Sequence, residues 1–201
     1  MGTIRKLVAA SMGCTRGPTW TARLTSGHRR DVPAVADHGC AGRVRLRQDS
    51  DLAAIAAGND DPEARRWLDD EPAAAKPRPV SVIQEIWRSG TAAPLVIADA
   101  VTDNAVGLIN LQFRDDHVAT LAYRVFPASR GQGFASRAVR LVTSWAFRDI
   151  GLTSLLLEID EANDASLKVA EKCQFGPVDT RTELASNGAR HTTLVFARQR
   201  P

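Results

Sequence analysis

Val44 and Leu46 alternate with Arg43, Arg45 and Arg47, the two-residue period of a strand with one buried face. A helix is expected from Asp51 to Ala57, capped by Ser50 or Asp49 and ended by Gly58. A shorter one opens at Pro62 behind Asp61 and reaches Trp67 and Leu68. Pro72, Pro77 and Pro79 then interrupt the chain before a third helical piece, Ser81 to Arg88, closed by Gly90. Leu95 to Ala98, Val106 to Phe113 and Val118 to Phe126 read as an antiparallel meander with turns near Asp103-Asn104 and Asp115-Asp116. From Gly133 to Ile150 the period becomes helical, with Ala135, Ala138, Val139, Val142 and Ala146 on one face and Gly151 at the end. A buried strand follows from Leu152 to Ile159. Val178 to Leu184 and Thr192 to Ala197 flank Ser186-Asn187-Gly188, a hairpin signal. There is no internal repeat.

The candidate chemistry lies between the meander and the long helix, in Pro127-Ala128-Ser129-Arg130-Gly131-Gln132-Gly133-Phe134-Ala135. Gly131 and Gly133 permit backbone angles closed to other residues and let a ligand approach the main chain. The helix they open begins with free amides and the positive end of its dipole, a setting for a pyrophosphate. Three ligand classes use such loops. A nucleoside triphosphate loop needs Gly-Lys-Ser/Thr, whereas Phe134, Ala135 and Ser136 follow the last glycine here. A dinucleotide site is the stronger competitor, since Glu158 and Asp160 end the next strand where a ribose-binding acid is expected. However, only one strand-helix-strand unit surrounds the loop, and Ser136 takes the third small position.

The third class is a thioester carrier. Arg130-Gly131-Gln132-Gly133-Phe134-Ala135 resembles the Arg/Gln-x-x-Gly-x-Gly/Ala loop of the GNAT superfamily of acyl-CoA-dependent N-acetyltransferases. Asn163, Ser166, Glu171, Lys172 and Phe175 resemble its Asn-x-x-Ser and Glu-Lys-x-Gly-Phe motifs, with Gln174 in place of the glycine. The likeness runs from about Val44 to Arg198 and is greatest to the ribosomal-protein alanine acetyltransferase (RimJ/RimL-like) branch. It implies an α+β fold: a mixed, mostly antiparallel sheet of about six to seven strands flanked by helices, spanning residues 41–201, with the broken helices after Val44 as an acceptor-side lid. It implies acetyl-CoA as co-substrate, with no metal, and contacts from Val125, Phe126, Arg130, Gly131, Gln132, Gly133, Phe134, Ala135, Asn163 and Ser166. It also implies a V between the strands ending at Phe126 and Ile159, a backbone amide near Val125 facing the developing oxyanion, and direct attack by the acceptor amine.

Two positions depart from the family pattern. A glutamate common before the loop is replaced by Thr120, and a tyrosine common after Asn-x-x-Ser by Ala170. Ser166 is then the candidate proton donor to the CoA sulfur, against a plain role in capping the helix begun near Asn163. Tyr123, the only tyrosine, is a catalytic candidate that core packing would also explain. His117, beside Asp116 in a hairpin turn, is a candidate base that solvation would also explain. Arg137 stands near the phosphates or on an exposed face. Asp60, Asp61, Asp69, Asp70 and Glu71 suit a cationic acceptor or are simply solvated. The expected function is acetyl transfer to a primary amine, a peptide N-terminus or a small molecule; succinyl or another short acyl group stays open. The alternative is an acyl-CoA-binding sensor or scaffold with little transfer activity.

Composition adds limits. With 201 residues and 44% hydrophobic content, one globular domain is expected. The net charge of +3 is concentrated: residues 1–40 carry +4 and the remainder −1, so the basic balance describes an N-terminal extension, read as disordered, and gives no case for nucleic acid. Within it, Leu7 to Cys14 behind Arg5-Lys6 imitates a secretory signal at the shortest apolar length, and the acid-free run to Arg30 imitates a transit peptide. No segment has the apolar length of a membrane span. Cys14, Cys40 and Cys173 have neither disulfide nor zinc spacing, and the four histidines form no ligand pattern. A cytoplasmic, bacterial enzyme acting as a monomer or homodimer fits these features.

Overall fold

In the computed structural model, residues 42–67, 77–184 and 190–201 are described. The extension 1–40, Leu68 to Glu71, Pro72 and the Ser186-Asn187-Gly188 turn lie outside them. A seven-stranded sheet runs β1 (Gly42–Arg45), β2 (Ala92–Asp99), β3 (Ala105–Phe113), β4 (Val118–Val125), β5 (Ser154–Asp160), β7 (Arg190–Gln199), β6 (Gly176–Leu184). All neighbours are antiparallel except β4 and β5. The expected α+β class, strand count and mixed sheet are thus observed, and each strand of the meander lies where alternation placed it.

The helices are α1 (Leu52–Asn59), α2 (Pro62–Trp67), α3 (Val80–Ser89), α4 (Phe134–Trp145) and α5 (Asp164–Lys172). The α4 stripe Ala138, Val139 and Val142 is buried on the sheet against Leu121, Leu155 and Leu157. At about 1.5–3 kcal/mol for each large apolar side chain taken from water, this seam fixes where the helix begins, and with it the loop ahead. Beyond Trp145 the winding widens to a π-turn over Ala146–Ile150, and Gly151 ends it at φ 87°.

Three local expectations are corrected. Neither Ser50 nor Asp49 caps α1: both lie within a 3-10 turn, Asp49–Asp51, that precedes it, and the buried Asp51 carboxylate accepts the Gln48 amide at 2.7 Å while gripping Arg45 at 2.7 and 2.8 Å. Gly58 does not end α1 but lies in its last turn, where a Cβ would land on the Phe126 ring. Finally, α3 docks on β2, with its Trp87 beside Trp145 of α4 at 6.2 Å between ring centroids, so it braces α4 rather than forming a lid.

Candidate active site

The parallel pair β4/β5 is registered at only three positions, ending with Thr120 opposite Leu156. Beyond it β4 continues to Val125 and β5 to Asp160 without pairing, so the sheet opens there as a V. The Phe126 amide donates to Val106 in β3 at 2.8 Å. Because amides alternate in direction along a strand, the Val125 N–H turns the other way, into the opening. On the opposite side Gly107 faces Val125, and a Cβ there would strike the Arg124 carbonyl, so this glycine lets β3 hold the end of β4 closely.

The loop Arg130–Gly133 crosses the wide end of the V. Gly131 has φ 75° and Gly133 has φ 77°, and Gly133 precedes the first turn of α4 without a side-chain cap. Its amides therefore await an outside acceptor. Arg137 folds back over this turn: its Nη2 donates to the Gln132 carbonyl at 2.6 Å, its guanidinium lies 5.1 Å from the Phe134 ring centre, and a Cβ on Gly133 would come within 2.9 Å of Nη1. Its Nε is buried without a partner. An uncapped helix start, a glycine-lined hollow and an orphaned guanidinium donor fit a diphosphate. The Phe134 side chain is buried in the core and anchors the loop, leaving its backbone amide at the helix start.

Across the V, Asn163 and Ser166 lie at the start of α5. Asn163 is the cap, its Oδ1 accepting the Ser166 amide at 3.1 Å. The Ser166 hydroxyl is not used in capping and makes no hydrogen bond among the described residues. Tyr123, on β4, donates its O–H to the Ser166 carbonyl at 3.5 Å, and burial pushes its phenol up to about 12. It packs against the core and tethers α5, remaining un-ionised at neutral pH.

The other sheet face gives the V a charged border. Thr120 accepts from Arg114 Nε at 2.5 Å, and Arg114 Nη2 reaches Glu158 at 2.6 Å; Arg181 reaches the same carboxylate oxygen at 3.2 Å. Sequence alone offered Glu158 only as a ribose-binding acid. Its neighbours are 44 and 23 positions away, so only the strand order reveals this cluster. Arg130 donates to Val125 O at 3.3 Å and is ion-paired with Asp61 and with Glu63 of α2, the latter at 2.5 Å. Thus part of the acidic stretch meets the phosphate loop directly; Asp69, Asp70 and Glu71 lie outside the described residues. His117 is not brought to this end. It precedes β4 at the closed side, where its carbonyl accepts the Thr153 and Ser154 amides, about 25 Å of strand from Val125. Asp116 shares that turn. Among the described residues no group of His, Cys, Asp and Glu could hold a metal, and no helix is long and apolar enough to cross a membrane.

This V, with a glycine loop at its mouth, is the frame of an acyl-carrier transferase, and the family described as acetyltransferase (GNAT) domain matches residues 43–176. The chain belongs to the GNAT family and is an N-acetyltransferase. Among solved structures it is similar to the ribosomal-protein-S5-alanine acetyltransferase of Vibrio fischeri, at 20% identity over 79% of this chain and 92% of that one, with a TM-score of 0.68. The spermidine N-acetyltransferase of Vibrio cholerae in complex with CoA and spermine matches at 18% identity over 79% and 95%, TM-score 0.67. RimL, an alpha-N-protein acetyltransferase in complex with coenzyme A, matches at 18% over 79% and 94%, TM-score 0.68. At these identities the likeness establishes the fold. No curated protein matches the chain in sequence.

Proposed function

We propose that residues 41–201 form a cytoplasmic acetyltransferase domain that moves an acetyl group from acetyl-CoA to a primary amine, on a peptide N-terminus or a small molecule, by direct attack within a ternary complex. The observation that carries this reading is the open V closed at its mouth by the uncapped Gly131–Gly133 turn. The solved relatives include enzymes named for both protein and polyamine acceptors, so the acceptor class stays at the amine.

Acetyl-CoA supplies an activated acyl group; the chain supplies position and charge. The Gly131, Gln132, Gly133, Phe134 and Ala135 backbone, with Arg137 beside it, holds the diphosphate, Arg130 borders it, and the V between Val125-Phe126 and β5 takes the pantetheine arm. The Val125 amide is a fixed donor for the oxyanion, a contribution of about 3 kcal/mol where such donors are removed in other enzymes. Asn163 orients α5 so that the Ser166 hydroxyl can donate a hydrogen bond to the departing thiolate and relay a proton to it from a water that reprotonates the serine. A primary amine with a pKa near 10 is only about one part in a thousand neutral at pH 7, so its proton needs a route out. Glu158, on the open face beside Thr120, provides that route, directly or through water.

The test is thiol release from acetyl-CoA with a panel of amines: peptides with free N-termini, polyamines and aminoglycosides. Release with at least one class, reduced in Glu158→Gln, is expected. Tight acetyl-CoA binding with no release across the panel would instead favour the sensor or scaffold reading, to which Thr120 and the fully buried Ala170 lend weight.

A further inference from the structure

At the far end of α4 a second concave site lies between that helix, the end of α5 and the end of β7. It is a half-open groove of about 640 Å³, lined by Arg140, Arg148, Lys172, Arg198 and Arg200, with Thr143 in its wall. No Asp or Glu side chain is among the lining residues; the one anionic group there is the α-carboxylate of Pro201, which makes no ion pair with them among the described residues. Arg140 donates to the Lys172 carbonyl at 3.1 Å and Arg198 to the Cys173 carbonyl at 2.8 Å, so backbone oxygens orient both guanidinium groups and leave their charge uncompensated by a carboxylate. Arg148 shares Asp149 at 3.0 Å on the exposed side. Lys172 and Arg200 make no ion pair among the described residues. The negative end of α5 explains three of these cations: Lys172, in its last turn, and Arg140 and Arg198, which donate to its terminal carbonyls. It explains neither Arg148 and Arg200 nor Thr143, which is 2% exposed and whose Oγ1 has no hydrogen-bond partner.

We propose that this groove binds a compact, multiply charged polyphosphate, separately from the cofactor loop. Like charges brought together in one hollow repel, and an anion relieves that repulsion. Arginine forks match phosphate oxygens in pairs, and the orphaned Thr143 hydroxyl supplies a further donor. The concavity favours a small ligand over a nucleic acid backbone, which needs an extended basic track; the volume falls in the range of small-molecule sites, roughly 300–1,000 Å³. Thr143 is ten positions past Gly133 on a continuous helix, about 15 Å away. The site therefore stands apart from the diphosphate turn while sharing α4 with it.

The experiment is calorimetric titration of inorganic tripolyphosphate into the full chain, with and without saturating acetyl-CoA, and into a Lys172→Gln/Arg200→Gln double variant. Both changed side chains are exposed and unpaired, so the melting temperature serves as the folding control; Arg198→Gln is the second variant. With the diphosphate turn filled by saturating acetyl-CoA, the expected result is one tripolyphosphate per chain, bound at least about tenfold more weakly by the double variant. Absence of binding, displacement by acetyl-CoA, or equal affinity in both variants would overturn the proposal. Stronger binding of an RNA duplex than of tripolyphosphate, lost in the same variants, would assign the face to nucleic acid and also overturn it.

Discussion

Arg130 and Asp61, 69 positions apart, are ion-paired across the mouth of the V, joining the glycine loop to the chain segment that enters α2. Asp61 is nearly buried, with 9% of its side chain exposed, whereas Arg130 keeps 34%, so the guanidinium can turn toward a new anion while the carboxylate stays behind. A diphosphate at the loop competes for Arg130 and would release Asp61 and Glu63 toward a cationic acceptor. A double-mutant cycle with Arg130→Gln and Asp61→Asn is expected to give a coupling of about 1 kcal/mol without ligand, and a smaller one with saturating acetyl-CoA. Coupling unchanged by acetyl-CoA would show that the pair is purely structural.

Ser166 has its amide committed to Asn163 and its carbonyl to Tyr123, leaving the hydroxyl. Ser166→Ala should therefore lower kcat about tenfold to a hundredfold with little change in KM for acetyl-CoA, since a proton donor acts in the transition state. A variant with normal kcat would confine Ser166 to holding α5.

The single tyrosine allows a direct reading of burial. Tyr123 has its phenol raised to about 12 by burial, above the ordinary value of 10, so the unfolded chain loses this proton first. The stability linked to it is complete below pH 10 and is lost as pH rises through 12. The phenolate absorbance of the native protein should rise near 12, that of the denatured protein near 10, and Tyr123→Phe should flatten the alkaline loss of stability in this window. A native transition at 10 would mean that Tyr123 is solvated.

Gln174 occupies the family's glycine position after α5 and adopts φ 61°, the left-handed conformation that a glycine takes without steric cost. Gln174→Gly is expected to stabilise the fold by about 0.5–1 kcal/mol, measured by chemical denaturation. A decrease would show that the side chain contributes more than its backbone costs.

Gln174 also illustrates what the sequence carries. Local period and turn chemistry sufficed for the meander, α4 and the glycine turn, because those signals are contained within one element. The Gly58 error arose because close approach of Phe126, 68 positions later, mimics a helix-stop signal. Ser50 and Asp49 are good caps by type, yet Asp51 wins by serving both Arg45 and the Gln48 amide. The clusters at Glu158 and Arg130, and the basic groove beyond α4, draw on residues brought together by strand order and helix docking. No spacing along the chain encodes them.

The most direct test of the account is calorimetric titration of acetyl-CoA into the native protein and into Gly133→Val. At φ 77°, with Arg137 within 2.9 Å of any Cβ, valine fills the hollow and strains the turn, at a cost of roughly 1–2 kcal/mol that the fold can bear. The account predicts one acetyl-CoA bound per native chain, and loss of binding in a variant that still unfolds cooperatively. Equal affinity in the two proteins would contradict it.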